Sequence, residues 1–114
     1  MITTEQVSAL VGKNVELICF ANYSVNLHFQ ERAILSILAG CEHTQAGQRR
    51  VYPQYAPVQE SSLMSILENS ISSAMIDTNG DLCLTASNDD TLRIFKEPAY
   101  ESYHLKIGGG EIIA

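Results

Sequence analysis

Three histidines and three cysteines are the side chains of this sequence best suited to bind a metal or attack an electrophile, and their spacing decides whether they can. His28, His43 and His104 stand far apart, with no Cys-x-x-Cys, His-Glu-x-x-His or paired-carboxylate spacing around them, so no metal site is expected. Cys41-Glu42-His43 does place a thiol, a carboxylate and an imidazole within one short stretch. Loop residues two apart converge on an ion only by chance, and the trio reads as ordinary loop chemistry. A cysteine nucleophile needs a base nearby and a polar, partly exposed setting, a description that only Cys41 approaches. Cys19 and Cys83 lie in apolar runs, where a free thiol behaves as a small hydrophobe. The odd count without paired spacing implies reduced thiols rather than a disulfide framework. Gly108-Gly109-Gly110 is not a phosphate cradle, because such a loop precedes a helix and the P-loop adds a lysine. No catalytic residue and no cofactor follow from these residues, and an enzyme is not the expectation.

Charge is the more informative signal. Up to Gln59, Glu5, Glu16, Glu31 and Glu42 balance Lys13, Arg32, Arg49 and Arg50. From Glu60 onward nine acids face only Arg93, Lys96 and Lys106, so the whole net charge of −6 lies in the second half. Backbone phosphates repel such a surface, which argues against nucleic acid as a partner. Asp77, Asp81, Asp89 and Asp90 sit at hairpin ends, where turn-forming aspartates belong, and no Asp-x-Asp-x-Asp-Gly calcium loop accompanies them. Their interest is electrostatic.

The elements that must position these side chains are mainly strands. At 114 residues, 46% hydrophobic and 18% charged, the chain suits a single domain, 1–114, with its own core. Thr3 to Gly12 reads as a short helix, with Thr3 and Gln6 in capping-box spacing. Val15 to Phe20, Val25 to Gln30 and Ala33 to Ala39 read as a meander of three strands. Residues 41–59, polar and interrupted by Gly47, Pro53 and Pro57, are expected to form a long loop, in which Arg49, Arg50, Tyr52 and Tyr55 offer a second contact surface. Ser61 to Asn69 carries the stripe of a short amphipathic helix. Ile71 to Thr78 and Asp81 to Ser87 flank Asn79-Gly80, the sequence of a type I′ hairpin turn. Thr91 to Phe95 and Tyr103 to Ile107 complete the strands, and 108–114 is read as a flexible tail. The predicted class is α+β, mainly an antiparallel sheet of about six to seven strands with one or two short helices. Two meanders separated by a helix echo one another, yet no residue pattern recurs at length. The longest apolar run, Ala33 to Gly40, is too short to span a membrane, and the first residues lack the features of a secretory signal, so a cytoplasmic location is expected.

Residues 77–94, from Asp77-Thr78-Asn79-Gly80-Asp81 to Arg93-Ile94, and Glu97-Pro98-Ala99-Tyr100-Glu101-Ser102-Tyr103-His104-Leu105 carry a resemblance. They resemble a family of small uncharacterised bacterial domains with a Gly-x-Leu-x-Leu hairpin, an acidic turn and a closing Glu-x-aromatic strand, and Leu10-Val11-Gly12-Lys13 before two strands fits the same pattern. Some such domains look like immunity proteins of contact-dependent toxin systems, which bind and neutralise a co-encoded nuclease toxin. The resemblance implies a cognate toxin domain as partner, met by a monomer or homodimer without cofactor or metal. Complementary potential would speed that encounter, so Asp81, Asp89, Asp90, Glu97 and Glu101 are the candidate contact acids. Tyr100 or Tyr103 is the candidate aromatic anchor, with Tyr103 reading more readily as core. A small homo-oligomeric scaffold, paired through an exposed edge strand, is the competing expectation.

Overall fold

The computed structural model describes residues 2–21, 24–52, 62–98, 101–108 and 110–114. Thr3 opens the chain as the capping box predicts: its hydroxyl accepts the Gln6 N–H at 3.2 Å and Gln6 Oε1 accepts the Thr3 N–H at 2.9 Å. Helix α1 (Thr4–Val7) lasts one turn, continues as a 3₁₀ turn (Ser8–Leu10), and buries Val7 and Leu10. No helix among the described residues is long and apolar enough to cross a membrane.

Among the described residues ten strands follow in two five-stranded antiparallel sheets, more than the six to seven expected. One sheet has the order β1 (Val15–Phe20), β2 (Val25–Phe29), β3 (Ile34–Ile37), β9 (Tyr103–Ile107), β10 (Gly110–Ile113). In the other the order is β5 (Gln48–Tyr52), β4 (Cys41–Gln45), β8 (Thr91–Ile94), β7 (Leu82–Ala86), β6 (Ile71–Ile76). Alternate residues of both sheets, among them Leu27, Leu35, Tyr103 and Leu105 from the first and Leu84, Leu92 and Ile94 from the second, form one buried core.

The hydrogen-bond register shows that the two halves of the chain have the same plan. Val15 pairs with Phe29 ahead of a bulge, then Ile18 with Leu27 and Phe20 with Val25. In the second meander Ile71 pairs with Ala86 ahead of a bulge, then Ala74 with Leu84 and Ile76 with Leu82. Each meander then gives its following hairpin to the other sheet: β4 adds to β8, and β9 adds to β3. Even the entries match. Gly12 N–H donates to the Ile71 carbonyl at 2.7 Å and Glu68 N–H to the Val15 carbonyl at 2.8 Å, while Ile71 N–H reaches Lys13 and Val15 N–H reaches Asn69 at 3.0 and 2.9 Å. The 3₁₀ turn Leu63–Ile66 buries Leu63 and Ile66 ahead of β6, as Val7 and Leu10 are buried ahead of β1. The chain is a structural duplication whose halves share backbone pairing and little sequence.

Several elements differ from the sequence reading, each for a local reason. Residues 41–52 are the β4–β5 hairpin rather than loop; β5 is an edge strand exposed along most of its length, while β4, between β5 and β8, turns Glu42 and Thr44 outward and Cys41 and His43 in. Residues 53–59, the rest of that expected loop, lie outside the described residues. The expected tail is β10, paired with β9 and closed by Ala114 N–H to the Tyr103 carbonyl at 2.9 Å. Within Ser61 to Asn69 the apolar residues form only a 3₁₀ turn, because Leu63 and Ile66, three apart, suffice to reach the core while Met64 stays exposed. The two-residue turn with positive φ at both centres is not at Asn79-Gly80 but at Ala46-Gly47, φ 51° and 81°. At the β6–β7 hairpin Gly80 N–H donates to the Asp77 carbonyl and Gly80 alone is left-handed, giving a wider loop.

Glu68 and Gly12 are counterparts, both left-handed, at φ 68° and 88°. A side chain costs conformational energy there and Glu68 is exposed, so Glu68→Gly is expected to stabilise the fold by about 0.5–1 kcal/mol and Gly12→Glu to destabilise it by about as much. Urea unfolding of the two variants checks the sign of each.

Candidate functional site

The duplication shows where the two halves depart from one another. Across the inner face of the first sheet, one row of paired residues runs Ile18, Leu27, Leu35, Leu105, Ile112. The equivalent row of the second sheet is Ala74, Leu84, Leu92, His43, Arg50. An imidazole and a guanidinium stand where the fold by itself accepts leucine and isoleucine.

His43, on β4, is fully buried and bonded at both ring nitrogens: Nε2 lies 2.9 Å from Asp90 Oδ2 and Nδ1 lies 2.5 Å from Ser62 Oγ. Asp90 enters from the end of the β7–β8 turn and also accepts the Ser65 hydroxyl at 2.6 Å. Tyr52, at the end of β5, has its phenolic oxygen 2.9 Å from Ser62 Oγ and accepts the Ser62 N–H at 2.8 Å. Burial favours the neutral acid of Asp90, but hydrogen bonds from Ser65, His43 and the Asn88 side outweigh it and hold the carboxyl below its ordinary range. An ionised carboxylate only accepts, so with a neutral ring the Nε2 proton points at Asp90 and Nδ1 accepts from Ser62. The order hydroxyl, imidazole, carboxylate has the composition of a nucleophilic triad. The ring is fully buried, and its bonds tie β4, the β7–β8 turn and Ser62 to one point. In the other half, the register puts Leu105 opposite His43 and Ala33 opposite Asp90, since Phe29 N–H meets the Ala33 carbonyl just as Ala86 N–H meets that of Asp90.

A second charged cluster caps the β6–β7 hairpin. Asp77 Oδ1 accepts the N–H groups of Asn79 and Asp81 at 2.9 and 3.0 Å, and its other oxygen meets Arg93. Burial raises the Asp77 carboxyl, but those bonds and the Arg93 charge prevail and hold it low. Asp81 takes the Lys96 N–H at 2.8 Å and lies 3.3 Å from Arg93. Tyr103, wholly buried, donates to the Gly80 carbonyl at 3.1 Å, and its phenol is pushed up to about 12 by burial and by the Asp81 and Asp77 charges.

Of the six contact residues expected from sequence, Asp81 and Asp90 are interior and committed to these networks. Asp89 is exposed at φ 71°, Glu97 is half-buried, and Glu101 is exposed with its carboxylate 2.9 Å from His104 Nε2. Tyr100 lies outside the described residues, and Tyr103 is core rather than anchor. Cys41, the one candidate nucleophile, is buried, and burial pushes its thiol up to about 11. In the sequence alone His43 reads as loop chemistry. Its signal, a histidine at an inward position of an alternating strand, became visible only once 41–45 was paired.

Replacing Asp90 alone by asparagine leaves His43 and Ser65 poorly matched and is expected to cost about 1–3 kcal/mol. The carboxyl is held low in the fold, so its stabilisation is complete above the unfolded value of about 4 and is lost as pH falls through the folded value. The Asp90→Asn variant therefore shows a shallower loss of stability on acidification than the parent. By contrast, His43→Leu, Ser65→Ala and Asp90→Ala together recreate an apolar interior and keep the fold at no loss of stability; thermal unfolding across pH measures both claims.

Comparison with curated proteins and with solved structures gives no match. A family model, described as a family of unknown function, matches residues 6–114, a span that takes in both meanders, both hairpins and the His43 network. The chain thus belongs to the family of unknown function DUF6188.

Proposed function

We propose that this protein is a non-catalytic, cytoplasmic inhibitor of the immunity type, which neutralises a co-encoded toxin domain, a nuclease with a basic surface, through an acidic corner of the fold. The observation that carries the reading is the charge difference between two corners with the same backbone. Glu68 bonds to the Val15 carbonyl beside Glu16, and the two line one depression of about 370 Å³. Asp89 stands in the turn whose Ser87 bonds to Asn69 and Ser70, next to Glu68. Glu16, Glu68 and Asp89 have no ion-pair partner among the described residues. At the corresponding corner stand Ser72, Gly12 and Arg32, with Lys13 paired to Glu31 at 2.9 Å. Only one corner is negative, and two of its three acids occupy left-handed backbone that glycine would fill at lower cost.

This reading moves the contact acids from Asp81 and Asp90 to Glu16, Glu68 and Asp89, with Glu97 and Glu101 farther along the acidic half. A strong negative field at such a corner speeds encounter with a basic partner more than it deepens the final affinity. The second reading, a homo-oligomeric scaffold, draws support from the outer strands: β1 and β6 carry bulges that discourage pairing, whereas β5 and β10 are regular. Light scattering that gives a monomer at all concentrations removes it.

Against the co-encoded toxin domain at low salt, Glu68→Lys with Asp89→Lys is expected to slow association about tenfold or more, while Arg32→Glu at the opposite corner changes it little. Stopped-flow association rates decide; an unaltered rate in the double reversal, or binding indifferent to salt, removes the acidic-corner mechanism.

A further inference from the structure

A second opening lies away from both Glu68 and the His43 network. A groove of about 720 Å³ runs between the β6–β7 hairpin and the end of β10. Its apolar wall comes from Ile2, Ile76, Ile113 and Ala114, and Ile113 is 48% exposed. In the other half, Tyr52 stands where Ala114 stands here, since Tyr52 pairs with Cys41 as Ala114 pairs with Tyr103. Tyr52 is buried. The scaffold therefore houses an aromatic ring at this position in one half and only a methyl group at its counterpart.

The charges around the groove are not equivalent. Asp77 is engaged by Arg93, and Glu101 by His104. Lys96 has no carboxylate within ion-pair distance among the described residues, and its ammonium donates only to the Glu97 carbonyl at 2.9 Å. Its stem lies against Gly80: a Cβ there would meet Lys96 Cγ at 3.3 Å, and a left-handed glycine, φ 86°, leaves the space. Lys96 thus offers the groove an ammonium without a carboxylate partner, beside an apolar wall with room for a ring.

We propose that this groove is a binding site for a small aromatic carboxylate, with the ring on Ile76, Ile113 and Ala114 and the carboxylate on the Lys96 ammonium. A volume of this size suits a ligand of one or two rings, and an ammonium beside apolar surface recognises an anion with an apolar body. Glu101 borders both this groove and the acidic half named above, but the test of the groove requires no toxin domain.

The test is amide-resolved NMR titration of the full chain with 2-naphthoate and, separately, neutral 2-naphthamide. The expected result is saturable shifts confined to residues near Ile76–Gly80, Lys96 and Ile113–Ala114, with the acid bound about tenfold more tightly than the amide. Lys96→Met should remove that preference while leaving amide binding in place. Ala114→Tyr, which supplies the ring found at the counterpart position, should abolish both, and its spectrum reports directly whether it is folded. Absence of saturable shifts, shifts scattered over the surface, equal binding of acid and amide, or an unchanged preference in Lys96→Met overturns the proposal.

Discussion

Four backbone hydrogen bonds between residues 12–15 and 68–71 set the frame on which the rest of the molecule is built. They are reciprocal: the segment entering each meander bonds to the first strand of the other. Neither half can satisfy these groups alone, and a buried backbone donor left unpaired costs as much as a lost hydrogen bond. The same exchange recurs at larger scale, where each half lends a hairpin to the opposite sheet. Most of the long-range pairing therefore joins one half to the other, so the halves are expected to fold as one cooperative unit.

A duplicated frame gives a physical reference inside the molecule for what the fold needs. Leu105 and Ala33 show that the interior tolerates apolar residues where the other half buries His43 and Asp90. Burying an imidazole and a carboxylate is costly unless every polar atom finds a partner, and this network supplies them from four separate elements. Such an arrangement fixes geometry more than it adds stability: it holds Tyr52 and Ser62 against the core at His43. The same comparison applies to the surface, where one corner carries Glu68 and Asp89 and the other Gly12 and Arg32. The halves depart from symmetry in these side chains, and the backbone that carries them is common to both.

Much of the candidate site was hidden from the sequence because it depends on which polar residues turn inward. Cys41-Glu42-His43 and the run to Tyr52 look like loop, since an edge hairpin needs only alternate residues to be apolar and may be polar on its open side. Asp81 and Asp90 look like surface acids for a related reason: turn aspartates are common, and only the packing of Arg93, Lys96 and His43 against them shows that they are interior. Three left-handed positions held by Glu31, Glu68 and Asp89 carry no local signal, because the residue best suited to such backbone is absent from each. The duplication itself was legible only as an echo, since hydrogen-bond register is shared while side chains have diverged.

By itself the sequence determined the β-rich character, the first helix cap, both meanders, most strand boundaries and the imbalance of charge, all of which rest on alternation, turn residues or composition within a few neighbouring positions. Tertiary structure alone decided the division into two sheets, the exchange of hairpins, the burial of His43 with Asp90, and the grouping of Glu16 with Glu68 and Asp89. Those outcomes depend on contacts between residues distant along the chain, and a local pattern of apolar and polar residues contains no term that distinguishes one distant partner from another.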